Sequence, residues 1–212
     1  PTGSGKTFTS LASSLPFVIN KSYKIIYCVR TNSQQEQVIR ELKAFKDSGN
    51  NFSVVAIQGR QSMCPQQKDD DELAKSNWSE KSKICKSLKL QSKLGEAGCP
   101  YYRKLLRPTK SLIDRWSSEV LSAEEFTANA ESENLCPYEL NKLLLKKAQI
   151  VIVPYVYFFE DFIRKYLLGW MNTTIDKIIT IVDEAHNLPD WSREAASESL
   201  SVDSLHRASQ ES

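Results

Sequence analysis

Histidine is scarce in this sequence, and long apolar runs and a strong excess of charge are absent. Only two of the 212 residues are histidines, and both lie outside the cysteine-rich stretch described below. Any metal in that stretch must therefore be bound by thiolates. No run of about 18 apolar residues occurs, so no membrane span is predicted. The net charge of +2 is too small, by itself, to indicate binding to nucleic acid.

The composition is that of an ordinary globular protein, with 41% hydrophobic and 25% charged residues. Strands are predicted at residues 22–29, 52–58, 149–154 and 177–182, the last as a buried parallel strand. Helical patterns alternate with them, including residues 6–15 and 155–168. This alternation predicts an α/β fold with a parallel sheet flanked by helices. Residues 60–136 contain no predicted strand and are too many for a plain loop, so we expect a mainly helical inserted module.

The first seven residues, PTGSGKT, read as the end of a phosphate-binding loop. Glycines allow backbone N–H groups to approach phosphate oxygens, while Lys6 would contact the β and γ phosphates and Thr7 would ligate Mg²⁺. The predicted nucleotide-binding residues are Thr2, Gly3, Ser4, Gly5, Lys6 and Thr7. The full pattern needs a glycine upstream of Pro1, so we expect a fragment of a longer protein. A Gly/Ser turn beside a lysine is the simpler alternative.

The second half of an ATP site is predicted far downstream, where the strand at 177–182 runs into Asp183-Glu184-Ala185-His186. A carboxylate at the end of a strand beside a phosphate-binding loop is placed to hold Mg²⁺, a role that we assign to Asp183. Glu184 would orient or deprotonate the attacking water. Two acids at a strand end are weak evidence alone, but together with Lys6 and Thr7 they predict ATP binding.

Four of the five cysteines lie in the predicted insert, whereas Cys28 lies in a strand and is predicted to be a buried core thiol. The four are Cys64, Cys85, Cys99 and Cys136. They have no Cys-x-x-Cys pair, which argues against a common zinc finger, and three of them precede a proline. The alternatives are unrelated cysteines, a four-thiolate zinc site and an iron–sulfur cluster. Metal ligation in either of the last two would supply folding energy to a polar insert.

Basic residues concentrate in the same module, with nine lysines and arginines and one acid between residues 81 and 110. Tyr101, Tyr102, Arg103 and Lys104 lie among them. Cations follow a phosphate backbone and aromatic rings stack on unpaired bases, so the run predicts DNA binding. A solvated helix face with core tyrosines is the alternative. Arg30 and Thr31, after the first strand, could bind backbone phosphate or merely cap a helix.

In this order, the motifs resemble those of the XPD-type iron–sulfur DNA helicases of superfamily 2. The resemblance covers essentially the whole chain, and Cys136-Pro137-Tyr138 followed by a helix, a strand and Asp183-Glu184-Ala185-His186-Asn187 is its closest part. It implies a RecA-like first motor domain at 1–58 and 139–188. A 4Fe-4S domain would be inserted at 59–138 and an arch domain would begin at 189–212.

The resemblance also implies an activity, namely ATP-dependent 5′–3′ unwinding of DNA in a repair process similar to nucleotide excision repair. Lys6, Thr7, Asp183 and Glu184 match the nucleotide and Mg²⁺ positions, and His186 matches the position that couples hydrolysis to DNA binding. Arg30 and Thr31 match the motif that grips the single strand. The implied cofactors are ATP, Mg²⁺ and a 4Fe-4S cluster bound by the four cysteines. Its domain would lie over a DNA passage and help to separate the strands.

The implied partners are single-stranded DNA, DNA junctions and, as an open question, repair or transcription-associated proteins, with no membrane. No second RecA-like domain is present, although such a domain would bring the arginines that complete the ATP site. We therefore expect the segment alone to bind ATP weakly and not to unwind DNA. An intracellular protein is expected, either cytoplasmic and archaeal or bacterial, or nuclear if eukaryotic.

Two further readings remain open for the sequence. One is an iron–sulfur module that binds DNA and senses damage without a motor role. The other is a zinc-containing P-loop ATPase that acts on RNA or remodels proteins. Substitution of Lys6 distinguishes the iron–sulfur module from a motor, because only a motor loses its function without that lysine. Metal analysis distinguishes the zinc-containing ATPase.

Overall fold

The computed structural model describes residues 5–69, 73 and 76–197. Its first half contains α1 (Lys6–Lys21), β1 (Lys24–Val29), α2 (Asn32–Asp47), β2 (Val54–Ala56), α3 (Gln66–Asp69), α4 (Trp78–Lys93), α5 (Pro100–Arg103) and α6 (Lys110–Ser118). The second half contains α7 (Ala123–Ser132), α8 (Pro137–Leu145), β3 (Ile150–Pro154), α9 (Tyr155–Phe159), α10 (Asp161–Met171), β4 (Ile178–Val182) and α11 (Leu188–Ala196). Short 3₁₀ turns, Ile175–Lys177 and Ala185–Asn187, flank β4.

The four strands form one parallel sheet in the order β2-β3-β1-β4, which confirms the predicted fold class. Ile25 of β1 pairs with Ile150 on one side and Ile179 on the other. Because side chains alternate along a strand, the sheet buries two faces. Ile25 and Tyr27 contribute to the cluster that contains residues of α1 and α2, and Ile26 and Cys28 to the cluster that contains residues of α8 to α10.

Two predicted helices differ from those in the structure. The first was expected at residues 6–15, but α1 continues through Pro16 to Lys21, and Val18 is buried in the core beneath the sheet. The second was expected as one helix at 155–168, but Glu160 has an extended backbone that separates α9 from α10. A change of backbone direction at one residue leaves no mark on an apolar pattern that continues on both sides.

The prediction that residues 177–182 form a buried strand is half correct. β4 is parallel, as expected, but it is the edge strand of the described sheet and pairs only with β1. Its side chains are therefore half-buried, and Thr180 is exposed. The apolar pattern of a strand predicts its type but not its position in the sheet.

The helices between β2 and β3 share their buried residues with the sheet. Trp116 of α6 and Phe126 of α7 pack edge to face, with ring centroids 4.9 Å apart, in the same cluster as Val151 and Val153 of β3. No strand occurs at 60–136 in the part that the structure describes. Among the described residues, no helix combines the length and the apolar character needed to cross a membrane.

Candidate nucleotide site and cysteine cavity

The two halves of the predicted nucleotide site meet at the carboxyl ends of β1 and β4. Gly5 precedes α1 with a left-handed backbone (φ +69°), so the loop turns directly into the helix. Lys6 Nζ lies 3.4 Å from Glu184 Oε1, although the two residues are 178 positions apart. The remaining predicted loop residues, Thr2, Gly3 and Ser4, lie outside the described part of the chain.

Asp183 and Glu184 are held at the tip of β4 by backbone contacts. The amide of Asp183 donates to the carbonyl of Cys28 at 2.9 Å, which continues the β1–β4 pairing by one residue. Burial raises the pKa of the Asp183 carboxyl, and the negative charge of Glu184 raises it further, while Lys6 acts in the opposite direction. A nearby cation would stabilise the ionised form of this carboxyl group, which is the form that binds Mg²⁺.

Thr7 lies on the same side of the sheet. Burial is the main cause of the raised pKa of the Tyr27 hydroxyl of β1; the Thr7 side chain lowers this pKa and the charge of Asp183 raises it. Lys6, Thr7, Asp183 and Glu184 therefore come together in one place, with the chemistry to hold a nucleoside triphosphate and Mg²⁺.

His186 and Arg30 border this site. His186 Nδ1 lies 3.1 Å from Glu184 Oε2. Arg30 donates to Asn187 Oδ1 at 3.0 Å, and Asn187 Nδ2 in turn donates to the carbonyl of Glu184 at 3.2 Å. A hydrogen-bonded path therefore connects the first strand tip to the backbone of Glu184.

Thr31 caps α2 in this structure. Its hydroxyl accepts from the amide of Gln34, and the Gln34 side chain accepts from the amide of Thr31, which makes a reciprocal capping box. The helix-capping alternative thus accounts for the Thr31 side chain, and a contact with DNA stays a prediction for Arg30 and Thr31.

The four cysteines of the insert line one cavity, whereas Cys28 is fully buried in the core as predicted. They are Cys64, Cys85, Cys99 and Cys136, and all are free thiols. Cys99 and Cys136 directly precede α5 and α8, each with proline as the first helical residue. Since a proline has no N–H and a preset φ, it starts a helix immediately after the cysteine.

Backbone N–H groups at the helix starts lower the pKa of three of these thiols, against the effect of burial. They belong to Gln66 and Gln67 for Cys64, to Tyr102 and Tyr101 for Cys99, and to Glu139 for Cys136. Burial raises the pKa of the Cys136 thiol to about 12, and the N–H contact opposes that rise. Hydrogen bonds from N–H groups favour thiolates, the form in which cysteine binds a metal.

Two polar atoms on the wall of the cavity are buried without a hydrogen-bond partner. They are Nε of Arg60 and Oε1 of Gln66. Arg60 also stacks on Tyr138, with its guanidinium carbon 5.0 Å from the ring centroid. Buried polar atoms are normally satisfied, so a donor left over beside four thiols is consistent with an anionic group in the cavity.

No group of three or more His, Cys, Asp or Glu side chains within the described residues is close enough together to hold a metal ion. The four thiols line one cavity, but their side chains do not converge as a set of metal ligands in the part of the chain that the structure describes. The sequence did not predict Arg60, nor the half-buried carboxylate of Glu139 between Lys89 (2.7 Å) and Lys142 (3.1 Å). Lys142 lies three residues from Glu139 on the same helix, but Arg60 and Lys89 come from other segments, so no local pattern indicates their contacts.

The predicted DNA contacts in this module are engaged with the protein itself. Arg103 donates to the carbonyls of Glu96 and Ala97, and Lys104 donates to the carbonyl of Glu133. Tyr102 is half-buried, packs against the core and has Lys89 Nζ 5.6 Å from its ring centroid. The alternative of a core tyrosine therefore accounts for the buried part of the Tyr102 ring. The side chains of Arg103 and Lys104 remain exposed.

Fold and site together define a RecA-like domain with a candidate nucleotide site at the carboxyl edge of a parallel sheet. The sequence profile of the DEAD_2 family matches residues 27–205, so the chain belongs to this family, that of the XPD-type helicases of superfamily 2. The chain is similar to solved structures titled "Truncated XPD" (25% identity, TM-score 0.53, 89% of this chain and 47% of that one) and "XPD_Helicase" (24%, 0.51, 90% and 29%).

Curated relatives carry helicase names. The rat "Regulator of telomere elongation helicase 1" is 30% identical over 82% of this chain and 12% of its own length. "ATP-dependent DNA helicase CHL1" of Vanderwaltozyma polyspora is 31% identical over 86% of this chain and 22% of its own length. The chain thus spans about an eighth to a fifth of the length of these relatives.

Proposed function

We propose that this chain is the ATP-binding part of the first motor domain of an ATP-dependent DNA helicase. The observation that carries the proposal is the meeting of Lys6 with Glu184, beside Asp183 and Thr7, across 178 positions of sequence. Lys6 would bind the β and γ phosphates, and Thr7 and Asp183 would hold Mg²⁺. Glu184 would orient the attacking water, and His186, in contact with its carboxylate, would relay the presence of DNA.

Nucleotide binding tests this assignment directly. Titration of Mg-ATP into the chain by calorimetry should give weak binding that Lys6→Ala removes. Lys21→Ala, at the far end of the same helix, is the matched control and should bind as the unaltered chain does. Equal affinity of Lys6→Ala and the unaltered chain would show that the site is elsewhere.

We further propose that unwinding proceeds in the 5′–3′ sense, in DNA repair, and requires a second motor domain that supplies arginines to the ATP site. The chain alone should then neither hydrolyse ATP rapidly nor separate strands. A longer protein with that second domain should unwind a duplex with a 5′ single-stranded tail and leave one with a 3′ tail intact. Robust unwinding by these 212 residues alone would contradict the requirement.

We also propose a 4Fe-4S cluster on Cys64, Cys85, Cys99 and Cys136. In such a cluster each thiolate binds a different iron, and the four sulfurs line one cavity. The unpartnered Nε of Arg60 and the N–H groups that lower the pKa of three thiols support an anionic occupant. The cluster would supply a covalent cross-link between the segments that carry the four cysteines.

Metal analysis after anaerobic purification distinguishes the possibilities. About four irons and four sulfides per chain are expected, with loss on replacement of any of the four cysteines by serine and retention in Cys28→Ala. One zinc and no iron would instead favour the P-loop ATPase with a structural zinc. Iron, together with a biological function of the longer protein that Lys6→Ala leaves intact, would favour the non-motor, damage-sensing module.

A further inference from the structure

An exposed row of aromatic side chains runs along α10. Phe162, Tyr166 and Trp170 occur at every fourth position and therefore lie on one face of the helix. Phe162 is 70% exposed and Tyr166 is 51% exposed. Their ring centroids lie 4.9 Å apart, and those of Tyr166 and Trp170 lie 6.2 Å apart. We call these three residues the aromatic ladder.

The aromatic ladder leads to the cysteine cavity. At its inner end, Trp170 meets Tyr138 edge to face at 6.4 Å, and Tyr138 is one of the residues that line the cavity. Burial of the ladder therefore increases steadily from the exposed Phe162 towards the inserted module. A ligand that lies along the ladder would be guided to the region of the chain that is richest in basic residues.

Two lysines lie beside the aromatic ladder. Lys142 Nζ lies 5.0 Å from the centroid of the Trp170 ring and also contacts the Glu139 carboxylate at 3.1 Å. Asp161, at the start of α10, is paired with Arg164 at 2.5 Å, so its charge is compensated. Lys165 is exposed, next to Tyr166, and makes no ion pair with any residue that the structure describes. The surface is complementary to an anion that carries flat apolar groups.

We propose that the aromatic ladder binds single-stranded DNA by stacking on its bases. Exposed rings beside cations are the combination that non-specific single-strand binding uses. The Phe162 and Tyr166 rings meet edge to face with centroids 4.9 Å apart, so each exposed ring face can receive one base of a flexible strand. The inference rests on the proposed function, because it assumes that this chain acts on DNA, and it adds a surface beyond the motor motifs.

The test measures binding of a fluorescein-labelled oligothymidylate of about 12 nucleotides to the whole chain by anisotropy. Phe162→Ala and Tyr166→Ala should each weaken binding roughly tenfold, and the double variant more. Because neither ring contacts phosphate, the dependence of affinity on salt should not change. Lys165→Ala should instead reduce the slope of that dependence by about one.

Controls exclude a general effect of removing exposed rings. Phe17 of α1 is 41% exposed and has Lys21 Nζ 4.7 Å from its ring centroid, so Phe17→Ala removes an exposed ring beside a lysine elsewhere and should bind as the unaltered chain does. Tyr166→Phe keeps the ring and should retain affinity. Circular dichroism should show that all variants remain folded, since the altered side chains are exposed.

The outcomes separate this inference from the proposed function. Unchanged affinity in the double variant, with the unaltered chain binding the oligonucleotide, would overturn the inference alone. Failure of the unaltered chain to bind would overturn it together with DNA binding as a property of this segment. If light scattering shows a dimer that the double variant no longer forms, and DNA affinity is unchanged, the ladder is instead covered by a second copy.

Discussion

Glu184 adopts a left-handed backbone conformation, with φ of +46°, which residues other than glycine rarely occupy. Four side chains hold it there. Lys6 and His186 contact its carboxylate, while Tyr155 and Asn187 donate to its carbonyl. Such strain costs on the order of 1–3 kcal/mol and persists only when the surroundings impose it. The candidate general base is thus positioned by its neighbours, which is the arrangement that a catalytic role requires.

Tyr155→Phe should destabilise the fold through this contact. Tyr155 is 1% exposed, and its hydroxyl donates to the carbonyl of Asp183 and, at 3.3 Å, to that of Glu184. Without the hydroxyl, a part-buried carbonyl loses its partner, so the free energy of unfolding in urea should fall by about 1–3 kcal/mol. Tyr166→Phe, which removes a half-exposed hydroxyl, should leave it unchanged. An equal free energy of unfolding for Tyr155→Phe and Tyr166→Phe would show that the Tyr155 contact is energetically neutral.

The buried thiol of Cys28 predicts a loss of stability in alkali. Burial raises its pKa from 9.0 to about 12. Above about pH 9 the unfolded chain releases this proton while the folded chain retains it, so the unfolded state binds fewer protons and stability falls until about pH 12. The unaltered chain should lose more unfolding free energy between about pH 8 and pH 10 than Cys28→Ala, by up to ~1.4 kcal/mol per pH unit. Parallel curves for both proteins would contradict it.

At the scale of elements, the turn between α4 and α5 places Cys99 at the cavity. The Ser92 hydroxyl of α4 is the link, because it accepts from the amide of Cys99 at 2.9 Å and donates to the carbonyl of Leu88 at 2.9 Å. The preceding residue, Gly98, has φ of +49°, and a Cβ there would lie 2.6 Å from the Leu88 carbonyl oxygen. Only glycine permits so close an approach of the chain to the helix.

Gly98→Ala should therefore move Cys99 and weaken the proposed cluster site. We expect a loss of unfolding free energy of more than about 1 kcal/mol and fewer iron atoms per purified chain. Gly59→Ala is the matched control, since Gly59 has no positive φ and nothing within 4 Å of an added Cβ. It should keep full stability and the same iron content. Equal iron content in both variants would show that this turn does not position a ligand.

At the scale of the whole molecule, the region between β2 and β3 is not a separate lobe in its packing. Trp116 and Phe126 of that region lie in one cluster with Ile26 of β1 and Val151 of β3. A shared core makes the helices and the sheet dependent on each other for stability. The proposed domain boundary at residue 59 would then separate functions more clearly than it separates folding units.

Trp116→Ala should for this reason destabilise the sheet as well as the insert. Removal of a buried tryptophan costs about 3–5 kcal/mol, and urea unfolding followed by circular dichroism should shift as one transition. Leu94→Ala, at a position that is 67% exposed, should leave the midpoint unchanged. Two separate transitions, with only one shifted, would mean that the insert unfolds independently of the sheet.

The patterns of the sequence determined the type of each major strand, the parallel sheet, the buried state of Cys28 and the assignment of Lys6 and Glu184 to one site. These features depend on periodicity and on motif order, which are properties of short segments. The resemblance to the XPD-type helicases likewise came from motif order. The strand types and the buried state of Cys28 could be predicted because their evidence lies within a few residues, whereas the nucleotide site and the resemblance were predicted from the order of short motifs along the chain.

Only the tertiary structure decided which strand lies at the edge, where α9 ends and α10 begins, and which side chains support Glu184. Tyr155 and Asn187 reach its carbonyl from different elements, and Arg60 reaches the cysteine cavity from the loop after β2. Such contacts depend on how distant segments pack, and a packed neighbour leaves no periodic mark in the sequence. The sequence therefore identifies the chemical groups of the site, and the fold determines which of them are in contact.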